Sequence, residues 1–230
     1  MAREIGILMS PPMIVAELDK TKRQTRRTQG LDAINKEQAD WACGSVVDGL
    51  VRFYNSKTKQ GLNVKSRYQI GDHLYSKEIH FKYGRWVDDQ FYSDIKTQWR
   101  FIPNHAFGVW FPDNLPKHLK LKGAIKTGHG DIGWYKRPSL FMFKNDARIW
   151  STVLKVEAQQ LKDITEEDAM AEGMSEKVAT YLGYSLMNHH PDDGTYYRHI
   201  YKLLWGHLNG TWTPGLWVFK YTMSEPEIRK

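Results

Sequence analysis

A chain of 230 residues that is 41% hydrophobic, 13% aromatic and 26% charged can bury a real core, which excludes disorder over its whole length and fits one elaborated domain or two small ones. The net charge of +7 is uneven, with 25 basic against 15 acidic residues up to Trp150 and 8 against 11 after it, so the first part is a basic body suited to an anionic partner, most simply nucleic acid. No apolar run approaches the roughly 20 residues of a membrane helix, Asp19, Lys20 and Lys22 arrive too early for a signal-peptide core, and Cys43 is the single cysteine, so we expect a cytoplasmic protein without membrane contact, internal disulfides or a thiolate zinc site.

In chain order, Ile5 to Ser10 reads as a strand, and Pro11 and Pro12 open a short helix in which Met13, Ile14, Glu17 and Leu18 recur at helical spacing. The run Lys20 to Arg27 follows, five cations in eight residues with no acid, which must be solvated or paired. Residues 28–45 read as loop or weak helix, and Ser45 to Asn55 with Tyr68 to Lys77 as strands around a lysine-rich turn. Residues 79–138 differ in kind. There Trp86, Trp99 and Trp110 sit among Gly, Pro, Asn and Lys without clean periodicity, as an insertion of irregular strands. Strands resume at Leu140 to Phe143 and at Arg148 to Ala158, where Trp150, Thr152, Leu154 and Val156 share one face by the period of two. Thr165-Glu166-Glu167-Asp168 is a capping-box pattern for a helix running to about Glu172, before Gly173. Glu176 to Met187 is a second helix, Tyr197, Ile200, Tyr201, Leu204 and Leu208 mark a third, and Gly215 to Tyr221 is a closing strand.

Several motifs do not survive inspection. Gly128, Gly130 and Gly133 match the dinucleotide-binding string, but Trp134 to Pro138 cannot open a good helix and no βαβ unit surrounds them. His189, His190, Asp192 and Asp193 read as a solvated loop, since adjacent ligands converge poorly on one ion. Asn209-Gly210-Thr211 is a glycosylation sequon that has no meaning without export. Phosphate-binding loop, paired-histidine zinc helix and nucleophile elbow are all missing from the sequence.

Lys22 and Thr25, three apart on the basic run just after the first helix, form the constellation that remains. A threonine hydroxyl attacks a carbonyl only with a base at hand, and a lysine desolvated among Lys20, Arg23, Arg26 and Arg27 is pushed toward that role. Taken alone, the same two residues read first as a phosphate clamp, since lysine beside threonine is common on basic surfaces.

At this point the sequence resembles the ASCH domain family of the PUA-like superfamily, in particular the long ASCH proteins of tailed bacteriophages. The residues that carry the resemblance are Ile7 to Pro12 with Leu18 to Arg27, Tyr68-Gln69-Ile70-Gly71-Asp72, Pro138 to Phe143, Leu161 to Met174, Leu204-Trp205 and Trp217-Val218-Phe219, within blocks 5–27, 66–78, 139–174 and 203–222. The resemblance implies an α+β fold: a small PUA-like β-barrel with rim helices and a cleft, with the whole chain 1–230 one domain, the insertion at 79–138 lying within it and a helical segment at 164–209. It implies binding of RNA or modified nucleosides. Short bacterial members that hydrolyse N4-acetylcytidine use a Lys-x-x-Thr motif after the first helix and a glutamate after the long strand, and these fall on Lys22, Thr25 and Glu172.

The implied chemistry has Thr25 attack the acyl carbonyl, Lys22 accept its proton and Glu172 protonate the departing exocyclic amine, with Arg26 at the oxyanion and with no metal or cofactor. Arg23, Arg26, Arg27 and Lys77 are the expected substrate or nucleic-acid contacts. Family members usually place a glycine before the basic residue that precedes the motif lysine, whereas Asp19-Lys20-Thr21 stands here, so the turn presenting Lys22 is expected to differ. Alternatives are a non-catalytic RNA or modified-base binding module, working in the host cytoplasm if phage-encoded, and an accessory protein whose aromatic insertion binds a protein partner.

Overall fold

The computed structural model describes residues 2–47, 49–88, 99–123, 131–184 and 195–229. They form a mixed α+β structure in two compact units, one of residues 1–76 with 148–230 and the other of residues 77–147. The second unit is wider at both ends than the insertion expected at 79–138.

The first unit begins with β1 (Glu4–Leu8), α1 (Pro11–Leu18), β2 (Gln24–Arg27), α2 (Asp32–Asn35), β3 (Trp41–Val47), β4 (Leu50–Asn55), β5 (Gly61–Lys65) and β6 (His73–Lys77). The second unit holds β7 (His80–Asp88), β8 (Trp99–Pro103), β9 (Val109–Trp110) and β10 (Gly133–Arg137). The chain then returns through β11 (Ile149–Gln160), α3 (Glu166–Ala171), α4 (Glu176–Tyr181), α5 (Tyr196–Asn209), β12 (Trp217–Met223) and β13 (Glu227–Ile228).

Six strands form the main sheet, in the order β1-β6-β11-β12-β2 with β13 on β11, and among the described residues this path does not close on itself. A separate sheet, β3-β4-β5, is an antiparallel meander. Strand β11 organises the main sheet, because its first residues pair with β6 and β13 while Val153 to Gln160 pair with β12. A bulge between Val153 and Lys155 moves the inward face by one residue, so Val153 and Val156 are both buried although three apart. That is why Leu154, which simple alternation places on the inner face with Val156, is 54% exposed.

Helix α1 begins with two prolines, which a first turn tolerates because its N–H groups lack partners anyway, and it buries Met13, Ile14, Ala16 and Glu17. Beyond it Lys20 takes φ 58°, and the amides of Thr21 and Lys22 both donate to the Ala16 carbonyl, so the basic run turns sharply into β2. Helix α3 has the cap its sequence promises: Thr165 Oγ1 accepts from the Asp168 amide. Its far end closes with Gly173 at φ 93°, whose amide donates to Met170 O while that of Met174 donates to Ala169 O, a Schellman closure. Glu166 then receives the amides of Tyr197 and Arg198, which fixes the start of α5 beside α3.

Three expectations are corrected. Leu140 to Phe143 do not form a strand: Ser139–Phe141 is a single 3₁₀ turn after Pro138, and only Met142 of the segment is buried. One inward residue in four is not a strand's alternation. The stretch between the two expected strands, read as a turn, supplies β5 as a further strand. Helix α4 ends at Tyr181 before Gly183 at φ 73°, short of the expected Met187, and 185–187 lie outside the described residues.

In the second unit β10, β7 and β8 are neighbours and β9 also pairs with β7. Tyr83, Phe107 and Trp134 pack together, as do Trp86, Phe101 and Tyr135, and the Arg137 guanidinium lies over Trp86, Phe101 and Phe141 at 4.7, 4.4 and 5.1 Å. Several of the insertion's aromatics therefore serve its own core. The Gly128 and Gly130 pair and the group His189, His190, Asp192 and Asp193 lie outside the described residues.

Candidate active site

Two backbone contacts join the ends of chain segments far apart in sequence. The Arg23 amide donates to Ala171 O at 2.6 Å, and the Lys22 ammonium donates to Glu172 O at 3.1 Å. Both close the C-terminus of α3, where backbone carbonyls gather negative partial charge and a cation is favoured. The turn after α1 is thereby docked on the end of α3, and Lys22 arrives against Glu172.

Lys22 is 1% exposed and gives its ammonium three acceptors: Gln24 O at 2.6 Å, Glu172 O at 3.1 Å and Glu172 Oε2 at 2.9 Å. The second carboxylate oxygen, Glu172 Oε1, accepts from Arg26 Nη1 at 2.9 Å, and Arg26 Nη2 donates to Asp168 Oδ2 at 2.7 Å. Asp168 of α3 and Glu172 at its C-cap, one turn apart, thus grip one guanidinium from β2. Behind them Lys220 lies 3.6 Å from Asp168 and 3.2 Å from Glu157, continuing the charge network along β12 and β11. Burial pushes the Glu172 carboxyl up, but Lys22 and Arg26 more than offset it, so the group sits below its ordinary value and is ionised at neutral pH.

Lys22, Thr25, Arg26, Arg27 and Glu172 all line one cavity of about 520 Å³, together with Tyr201 and Trp205 of α5, the buried Tyr68 and the exposed Arg67. Thr25 is 2% exposed and sits in β2 opposite Tyr221 of β12, so its position is set by the sheet and not by a free turn. Tyr201 is fully packed, and burial raises its hydroxyl well above the ordinary phenol range, the Glu172 charge adding to the effect. The Arg26 guanidinium carbon lies 5.8 Å from the Tyr201 ring centre.

Two expected contacts are engaged elsewhere. Arg23 donates to Lys20 O and to Glu225 Oε2 and does not line the cavity, while Lys77, in the second unit, donates to Leu140 O at 2.6 Å. Sequence reasoning read Asp168 only as a capping residue and Tyr201 only as a core position. The signal for Asp168 was present: two acids four apart on a helix make a matched pair for two cations. Arg67 and Tyr68 carried no such signal. No group of three metal-ligating side chains occurs among the described residues, and no described helix is long and apolar enough to cross a membrane.

Comparison with protein-family models, with curated proteins and with solved structures returns no match for this chain.

Proposed function

We propose that the protein is an amidohydrolase of ASCH type, with a PUA-like fold, that removes an acyl group from N4 of cytosine in a free nucleoside or in RNA. One observation carries the reading: Lys22, Thr25 and Glu172, the first and last 150 residues apart, line a single cavity with Arg26 beside them. The motif resemblance picked out the same three residues.

The buried pair offers a balanced reaction. Transfer of a proton from the Lys22 ammonium to Glu172 leaves an amine and a carboxylic acid with no net charge change in the interior. Thr25 Oγ attacks the acyl carbon as its proton passes to the Lys22 amine, and Glu172 protonates N4 as the C–N bond breaks. Arg26 stabilises the oxyanion. This step yields acyl-Thr25 and the deacylated cytidine, free or within RNA, and restores the ionised pair. Glu172 then takes a proton from the attacking water, Lys22 returns one to Thr25 Oγ, and the carboxylic acid is released.

A non-catalytic recognition module is the second reading, and the observation favouring it is that all three Lys22 donors already have acceptors. The experiment is acetate release from N4-acetylcytidine by the wild type and by Thr25→Ala. Turnover that disappears in the variant supports the hydrolase. No turnover by the folded wild type, with free nucleoside and with a short RNA, transfers the reading to recognition, which further expects steep salt dependence of RNA binding.

A further inference from the structure

The cations of the cavity fall into two groups by what neutralises them. Lys22 and Arg26, both buried, share Glu172 and Asp168. Arg27, half-buried, and Arg67, exposed, also line the cavity but have no carboxylate partner among the described residues. Their protein acceptors are neutral: Arg27 Nη2 donates to Leu8 O at 2.9 Å and contacts Met9 Sδ at 3.8 Å, and Arg67 Nη1 donates to Gln29 Oε1 at 2.7 Å. These contacts orient both guanidiniums without cancelling their charge.

Both side chains line the same cavity as Tyr68. Burial raises the Tyr68 hydroxyl, and the charges of Arg27 and Arg67 both pull it back. Arg67 also lies over the Tyr68 ring, 5.5 Å from its centre. A cleft wall with two uncompensated guanidiniums focuses positive potential, and their remaining N–H groups match the oxygens of a phosphate.

We propose that Arg27 and Arg67 form a phosphate subsite at the mouth of the cavity, so that the substrate is a phosphorylated nucleoside, either a mononucleotide or a residue within a strand. The assignment of this phosphate to a substrate rests on the amidohydrolase reading. Depth orders the site: the reacting groups Lys22, Thr25 and Glu172 are buried, whereas Arg67 and Gln29 are exposed, as a base entering first with its phosphate trailing requires.

The test compares kcat/KM for N4-acetylcytidine with that for its 5′-monophosphate and for a 5′-linked dinucleotide, in the wild type and in Arg67→Gln, whose exposed side chain can be changed without emptying the core. We expect an advantage of about tenfold or more for a phosphorylated substrate, mostly lost in Arg67→Gln. Preference for the monoester identifies a nucleotide, and preference for the diester identifies a strand. Equal turnover of the nucleoside and both phosphorylated forms by the wild type overturns the subsite. If none is turned over, the hydrolase reading fails by itself, and calorimetric binding of cytidine 5′-monophosphate against cytidine decides the subsite. Tighter binding of the nucleotide that Arg67→Gln abolishes sustains it, and equal binding overturns it.

Discussion

Lys22 meets Glu172 twice, at the carboxylate (2.9 Å) and at the backbone carbonyl (3.1 Å), so one ammonium both neutralises an acid and closes the helix end that presents it. Removing Glu172 leaves the buried Lys22 ammonium with backbone carbonyls alone, and removing Lys22 leaves the Glu172 carboxylate with Arg26 as its one cation, so either change unbalances a buried charge cluster. Glu172→Ala and Lys22→Met should each destabilise the protein by roughly 3–5 kcal/mol in urea denaturation. The double variant should cost clearly less than the sum, because no lone charge remains at that pair. Additive losses would show that the two residues do not act as a unit.

Acid should weaken the first unit through the same carboxylate. Glu172 holds its proton less tightly in the folded chain than at its ordinary value of 4.5, so its contribution is complete above that pH and is lost as pH falls through the lower folded value. Glu172→Gln should therefore be less stable than wild type near neutrality, and the gap should narrow as pH drops below 4.5. Parallel stability curves for the two proteins down to about pH 3 would contradict this.

Gly173 is where the docking of α3 is most vulnerable. Its φ of 93° disfavours any side chain, and an added Cβ would lie 2.5 Å from Ala16 Cβ and 3.3 Å from Lys22 Cβ. Gly173→Ala should cost about 2–4 kcal/mol, and it should also disturb activity, since Glu172 precedes it directly. Combining it with Ala16→Gly should recover the steric share but not the backbone share. No recovery at all would place the whole cost in the backbone.

Lys20 occupies a left-handed turn, φ 58°, a conformation that favours glycine over any residue with a Cβ. Its ion pair with Glu225 is exposed on both sides and offsets little. Lys20→Gly should raise stability by about 0.5 kcal/mol, whereas Lys20→Val should lower it by more than about 1 kcal/mol. Thermal denaturation of the two variants checks both signs.

Much of the first unit was legible because its signals are local. The prolines of α1, the cap at Thr165, the glycine at 173 and the 3.6-residue recurrence of Ile200, Tyr201 and Leu204 each act within a turn or two of the chain. What misled was also local: alternation assigned Leu154 to the inner face because a bulge depends on the register with β12, which no single strand encodes. Apolar Leu140 to Phe143 looked like a strand because hydrophobic runs without partners have no unique reading. At the candidate site, Lys22, Thr25 and Glu172 were singled out as residue types in a motif, while Asp168, Arg67 and Tyr68 emerged only from their contacts.

By itself the sequence determined a mixed α+β chain with a basic first part, a short proline-led helix before five clustered cations, and a capped helix ending at a glycine, since composition and short-range sterics suffice for these. Only the tertiary structure decided which of those cations are buried and which remain uncompensated. That choice follows from strand pairing and from the docking of the α1–β2 turn on the end of α3, which together carry Lys22 and Arg26 to Glu172 across 150 and 146 residues of chain. Coulomb attraction in a desolvated interior makes those pairings strong once formed, but the distances that create them are properties of the folded chain.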